Sequence, residues 1–301
     1  MNRANLLILL VIAMMLALMD CASSQAATLQ AVLDLVAGGE FNYSVGAGDD
    51  LVSISARYGV TEAILARDNS IARDARLHRR QILRIDNRHA VPKGLNDGIV
   101  INIPQRMLFY FEHGTLISYY PVSLGRRDWR TPTGKFTIIA KREHPTWIVP
   151  PSIQEEMEEN GKEVETEVPP GQDNPLGDYA LDLSIEGYRI HGTNAPASIY
   201  AFRTHGCIRL HPADIEDLYR RVAIGTPGEI IYQPVTLTAT GAGEVFLEVD
   251  RDIYRRTPDA MAALRAAAEV QNLNDDIDWS KAEEVVRRAD SFVCEVGRHP
   301  Q

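Results

Sequence analysis

Cysteine is scarce in this sequence: Cys21, Cys207 and Cys294 are the only three in 301 residues. Three thiols cannot build a disulfide framework, and no C-x-x-C pair marks a structural zinc site. Basic charge is short as well, with 31 Lys and Arg against 41 Asp and Glu, a net of −10. That balance excludes the broad basic footprint of a nucleic-acid-binding protein. Beyond residue 19 there is no long apolar run, so the rest of the chain lacks the roughly 18 apolar residues of a membrane span. Internal repeats are absent too. What remains is 45% hydrophobic and 24% charged, an ordinary globular composition, long enough for about two domains.

The N-terminus carries Arg3 and then an apolar run from Leu6 to Met19. A positive charge followed by such a run reads as a secretory signal. Small residues at Ser24 and Ala26 place cleavage after Ala26, so residues 1–26 form the expected signal and Cys21 leaves with it. Two other readings stay open. The run could be an uncleaved anchor, although it is short for a span. Cys21 could be lipidated, although Asp20 stands before it.

Residues 41–97 read as a small separate unit. Phe41 to Val45 alternate like a strand, Gly46 to Asp50 turn, and Asp49 or Asp50 can cap a helix that contains Leu51, Ile54 and Tyr58 and stops at Gly59. Thr61 starts a second helix, and residues 81–85 form another strand. Tyr43-Ser44-Val45, Gly48-Asp49-Asp50-Leu51, Ile54 to Val60 and Asn69 resemble a LysM module, a βααβ peptidoglycan-binding fold. Arg79-Arg80-Gln81 departs from its pattern, which has a glycine there. The resemblance implies binding to wall glycan; the alternative is a spacer that only packs on its neighbour.

From Gly98 the pattern turns to short strands: 99–103, 107–111, 115–120 ending at Pro121, 134–139, a hairpin over 179–191, and 229–232. Closely spaced strands with turn signals predict a β-sandwich over 98–233. The hairpin puts Tyr188 and Ile190 on one face, Arg189 and His191 on the other. An amphipathic helix follows Asp214. Residues 144–177 interrupt the strands, with Ser152 to Glu155 as a capping box for a helix over 155–160. An insertion of that length is a lid or binding loop, or else a solvated excursion. Residues 234–301 read as a charged helical tail, with 13 acidic and 8 basic side chains over 236–301. The expected fold is therefore mainly β, with a small βααβ N-terminal domain and a helical C-terminal tail.

Chemistry concentrates in Ile190-His191-Gly192-Thr193 and Thr204-His205-Gly206-Cys207-Ile208-Arg209-Leu210. A cysteine nucleophile needs a base or a cationic neighbour, because the thiolate is the reactive form. His191 and His205 are both available, and the Gly206 and Cys207 N–H groups could hold an oxyanion. A lone cysteine beside glycine is more often a small buried residue than a nucleophile. Cys294, flanked by apolar residues near the C-terminus, reads as such a structural thiol.

The full set is more specific. H-G-T, a spacer, then T-H-G-C-I-R-L resembles the L,D-transpeptidase (YkuD) family, supported by Thr131-Pro132-Thr133-Gly134 and by the stretch from Pro170 to Gly177. Matched by position, the resemblance implies that Cys207 is the nucleophile and His191 the base, oriented by the Gly192 carbonyl. His205 and Gly206 shape the nucleophile turn, and Arg209, Thr204 and Tyr188 contact substrate. It further implies a periplasmic enzyme that takes peptidoglycan stem peptides, releases D-alanine, and needs no metal or cofactor. The acyl acceptor is another stem, a lysine of an outer-membrane lipoprotein, or water.

Overall fold

The computed structural model describes residues 36–93 and 95–298. The expected signal, residues 1–26, lies outside them.

Val36–Ala37 (β1) pairs with His89–Ala90 (β4), and between them lies a βααβ unit: Glu40–Ser44 (β2), Leu51–Tyr58 (α1), Glu62–Asp68 (α2) and Ile82–Asp86 (β3). Its local signals are physical. The Asp50 side chain accepts from the Ser53 N–H, while the Ser53 hydroxyl accepts from the Asp50 N–H, closing a capping box. Gly59 ends α1 at φ +70, a left-handed conformation that suits glycine. Val45, Leu51, Ile54, Ile64, Leu65, Leu83 and Ile85 form the unit's own core.

The central domain runs through Gly98–Asn102 (β5), Met107–Glu112 (β6), Thr115–Gly125 (β7) and Gly134–Glu143 (β8). The insertion follows, with Trp147–Ile148 (β9), Pro151–Glu159 (α3) and Glu167–Val168 (β10). Then come Tyr179–Leu183 (β11), Arg189–His191 (β12), Phe202–Thr204 (β13), Ile208–Leu210 (β14), Pro212–Arg221 (α4) and Pro227–Ile231 (β15). Two long strands build the sandwich. β7 pairs with β6 through Pro121 and with β14 from Val122; β8 pairs with β15 through Thr137 and with β11 from Ile138. Each passes from one layer to the other. The hydrogen-bonded circuit β7-β14-β12-β11-β8-β15-β5-β6 thereby closes on itself. Ile99, Ile101, Leu108, Val122, Leu181, Ile190, Ile208 and Leu210 fill its interior.

Three local expectations are corrected. Pro121 does not end a strand: it sits where β7 changes neighbours, and the next residue's N–H, on Val122, donates to the Arg106 carbonyl instead. The insertion helix starts at Pro151 with no side-chain cap, not at a Ser152 box. Proline at the first helical position has a preset φ and no N–H to satisfy. The C-terminal segment is not simply helical. Val235–Ala239 (β16), Glu244–Val249 (β17) and Cys294–Arg298 (β18) form an antiparallel sheet covered by Ala260–Gln271 (α5) and Trp279–Arg288 (α6). Val245, Leu247, Leu264, Ala268 and Val285 give it a separate core. Charged loops and the charge-rich α6 masked its short alternating strands. Among the described residues no helix is long and apolar enough to cross a membrane.

The three units meet at a buried polar junction. His89 Nδ1 lies 2.9 Å from Glu248 Oε1 and its Nε2 2.9 Å from the Gly59 carbonyl, while the other Glu248 oxygen accepts from the Ala90 N–H and Gln105.

Candidate active site

The parallel pair β12–β14 sets the site. Ile190 lies opposite Ile208 and His191 opposite Arg209. Strand alternation then sends Ile190, Ile208 and Leu210 into the core, all fully buried. The other face receives Arg189 and His191 from one strand, and Cys207 and Arg209 from the edge of the other. All four line one cavity of about 450 Å³, together with Tyr188, His205 and Thr204.

His191 is almost fully buried, and its Nδ1 lies 2.7 Å from the Gly192 carbonyl oxygen. A carbonyl only accepts, so Nδ1 carries the proton and Nε2 keeps its lone pair. Burial first, then the Arg209 guanidinium, lowers the ring's pKa to about 3, despite the opposing pull of the Gly192 and Leu176 carbonyls. The imidazole is neutral at neutral pH.

Cys207 is a free, partly buried thiol, 4.0 Å from the Gly187 carbonyl oxygen. Burial pushes its pKa up; the Arg189 N–H and the Arg189 and Arg209 charges pull the other way. Cys294 is also free and partly buried, with Arg288 donating to its sulfur at 3.0 Å.

The turn before Cys207 is tightly held. Gly206 has φ +106, and a Cβ there would stand 2.7 Å from the Tyr188 ring, so only glycine fits. The Gly206 N–H donates to Thr204 Oγ1 at 3.0 Å, and Thr204 Oγ1 donates to the Cys207 carbonyl at 2.6 Å. This alters two expectations. Thr204 is buried, with its hydroxyl engaged in bracing the turn rather than free for a substrate. The Gly206 N–H is occupied as well, which leaves the Cys207 N–H as the donor of that pair. Tyr188 also departs from simple alternation: β12 begins after it, its N–H closes a turn to Ile185, and its ring lines the cavity.

His205 points to the insertion. Its Nε2 pairs with Glu156 Oε2 on α3, and Arg126 donates to Glu156 Oε1 at 2.9 Å. Trp129 packs edge-on against the His205 ring at 4.8 Å. Trp147, Ile148, Pro150 and Ile153 of the insertion wall the cavity, so this part of it is a binding wall, while residues 158–167 lie exposed to solvent. Buried Asn174 fastens the base of this flap, donating to the Pro145 carbonyl at 2.8 Å. Arg209 is partly buried, its Nε has no partner, and no carboxylate pairs with it among the described residues. Arg189, by contrast, lies 3.4 Å from Asp182.

Sequence reasoning passed over Glu156, Arg126 and Trp129. Nothing in their spacing relates them to Cys207: the folding back of the insertion brings Glu156 there, while Arg126 and Trp129 stand in the loop after β7, where the Arg126 N–H donates to the Thr204 carbonyl at 3.0 Å. Arg189 was legible, since alternation places it with His191. Among the described residues no three of His, Cys, Asp or Glu converge as metal ligands.

Comparison with known proteins adds the following. A model of the L,D-transpeptidase catalytic domain (YkuD) matches residues 96–230, and a LysM domain model matches residues 43–86. The Probable L,D-transpeptidase YcfS of Escherichia coli K12 is 32% identical over 230 residues, 75% of this chain and 72% of that protein. The Probable L,D-transpeptidase ErfK/SrfK of the same strain is 35% identical over 175 residues, 58% of this chain and 56% of its own length. A crystal structure of an L,D-transpeptidase from Mycobacterium tuberculosis H37Rv aligns at 18% identity and TM-score 0.34, covering 52% of this chain and 74% of that one.

Proposed function

This chain belongs to the L,D-transpeptidase (YkuD) family and carries a LysM domain, and from that premise we propose a cysteine-dependent acyl transfer on peptidoglycan. Cys207 is the nucleophile and His191 its base. As Sγ attacks the carbonyl carbon of the third stem residue, the thiol proton passes to His191 Nε2 and an S–C bond forms. The C–N bond to the terminal D-alanine then breaks, Nε2 returns the proton to the leaving amine, and a thioester remains on Cys207. An amine of a neighbouring stem, or a lysine of a wall-linked lipoprotein, attacks that thioester. Its proton travels through Nε2 back to sulfur, and the thiol is restored.

The observation that carries this reading is the shared face of β12 and β14, with a neutral imidazole protonated on Nδ1 and a thiol in one cavity. Because both groups are neutral at rest, the proton moves during attack rather than before it. The Cys207 N–H faces the developing oxyanion. Arg209, unpaired and partly desolvated, binds a stem carboxylate through its planar fork. The apolar flap favours the uncharged form of the acceptor amine. The LysM domain holds the enzyme on wall glycan in the periplasm, reached through the signal at 1–26.

The test incubates the protein with disaccharide-tetrapeptide and resolves the products by mass spectrometry. Dimers joined through third residues, with D-alanine released, are expected. Tripeptide alone would make the enzyme a hydrolase. Cys207→Ala and His191→Ala should each lower turnover by at least about a hundredfold, while binding to wall sacculi persists. Full activity in either variant would overturn the assignment.

A further inference from the structure

A second cavity, about 420 Å³, opens between the LysM domain and the catalytic domain. Tyr43, Asp49, Arg57 and Tyr58 line it from one side, Ala197 and His211 from the other. Its walls are fixed to each other. Arg57 Nη1 donates to His211 Nδ1 at 3.0 Å and to Asp214 Oδ1 at 3.1 Å, and α1 packs on the 3₁₀ turn Pro196–Ser198.

The lining has mixed chemistry. The Tyr58 ring meets Phe41 and Tyr43 edge-on at 5.2 and 5.3 Å, which forms an aromatic cluster at the cavity. Asp49 Oδ2 accepts from the Tyr43 hydroxyl at 2.5 Å and from the Gly46 N–H at 2.7 Å, leaving Oδ1 for a ligand. Half-exposed aromatic rings beside a carboxylate and a guanidinium suit a ligand with apolar C–H faces and hydroxyl or amide groups at its edges. A pyranose with acetamido substituents has that character.

Position ties this cavity to the chemistry. Cys207 stands just before β14 and His211 just after it. Four residues of strand span about 13 Å. In a peptidoglycan stem, the carbonyl attacked by Cys207 lies three residues from the muramic acid, about 10 Å when extended, plus the lactyl arm. A stem with its third carbonyl at Cys207 therefore reaches the neighbourhood of His211 with its sugar.

We propose that the interdomain cavity is a saccharide subsite, formed by both domains, that holds the amino-sugar disaccharide bearing the stem under attack. The identity of the ligand rests on the transpeptidase reading above. The subsite makes the two domains one substrate-binding surface rather than an anchor tethered to an enzyme.

The test titrates the full chain calorimetrically with the stem-free N-acetylglucosaminyl–N-acetylmuramic disaccharide. Binding is expected for the native protein and a loss of at least tenfold in affinity for Ala197→Trp. That substitution fills the cavity from an exposed position on the catalytic side and leaves the LysM core intact. Tyr43→Ala should weaken binding similarly from the opposite wall. Native-like affinity in Ala197→Trp would overturn the proposal, because the sugar would then bind on the LysM domain alone; so would the absence of binding to the native protein. Turnover of tetrapeptide is scored separately. Sugar binding without turnover would refute the transpeptidase reading and not the subsite.

Discussion

The hydroxyl of Tyr254 accepts a hydrogen bond from the Thr131 N–H at 3.1 Å and donates to the Gly125 carbonyl at 2.7 Å. Thr131 Oγ1 in turn donates to the Gly206 carbonyl at 2.9 Å. The C-terminal segment is thus linked to the turn before Cys207 through two buried residues. Tyr254→Phe leaves a buried N–H and a buried carbonyl without that partner, which should cost about 1–3 kcal/mol and lower Tm by several degrees. If the link positions the nucleophile, kcat should fall about tenfold with KM little changed. A drop in Tm with unchanged kcat would reduce Tyr254 to a packing role.

Glu156 joins the flap to the turn before Cys207 through Arg126 and His205. All three side chains reach solvent, so the ion pairs themselves contribute little to global stability. Their effect is local. Arg126 first, and His205 next, hold the Glu156 carboxyl below its ordinary range. A depressed carboxyl favours the latched form above its unlatched pKa and loses that advantage as pH falls through the latched one. Hydrogen-exchange protection of Pro151–Glu159 should therefore be full at neutral pH and decline below about pH 4. In Glu156→Gln it should be low at both. Equal protection in native and variant protein at neutral pH would show that the flap is held by Asn174 and its apolar wall alone.

Much of the site was readable from sequence because it is local. Asp50, Gly59 and Thr61 cap helices through bonds within a few residues, and the alternation around His191 already puts Arg189 beside it. The pairing of β12 with β14 was not readable, since eighteen residues separate Ile190 from Ile208 and a parallel neighbour is chosen by the whole sheet. Pro121 misled because proline forbids only the ladder bond its own N–H would donate, and β7 changes partners just there. Glu156 and Tyr254 lie far from Cys207 in sequence, and no periodicity encodes such contacts. The tail misled by composition: its charges lie mainly on α6 and in loops, while Val245 and Leu247 alternate over only six residues.

Arg209 is held in an unfavourable place. Burial depresses its pKa, its Nε lacks a partner, and no carboxylate neutralises it among the described residues. An unpaired, partly desolvated cation destabilises the fold until a ligand compensates it. Arg209→Met should therefore raise Tm while lowering kcat/KM by about a hundredfold, a loss of near 3 kcal/mol in transition-state binding. Arg209→Lys should recover little, because a point charge cannot replace a planar fork at a carboxylate. A variant that loses stability together with activity would place Arg209 among structural residues instead.

The protonation state of His191 leaves a signature in stability that is independent of turnover. Its folded pKa is about 3, against 6.5 for a free imidazole. Below pH 6.5 the unfolded chain takes up a proton that the folded ring refuses, so this residue makes stability fall as pH drops. The slope is at most about 1.4 kcal/mol per pH unit, persists down to about pH 3, and is absent above 6.5. His89 has the opposite sign: against the downward pull of burial, the Glu248 carboxylate raises its folded pKa, so its contribution grows as pH falls toward 6.5 and is level below, which offsets part of the loss measured from pH 7. The comparison must therefore be between native protein and His191→Asn, which keeps a side-chain N–H to offer the Gly192 carbonyl and leaves His89 in place. Between pH 7 and pH 5 the native protein should lose up to about 2 kcal/mol more than the variant, measured by denaturant unfolding at each pH. Equal losses would mean that the folded imidazole takes up the proton as readily as the unfolded one, near pH 6.5. Burial and Arg209 would then not hold the ring neutral, and the fraction of enzyme with a free base at Nε2 would fall away below that pH.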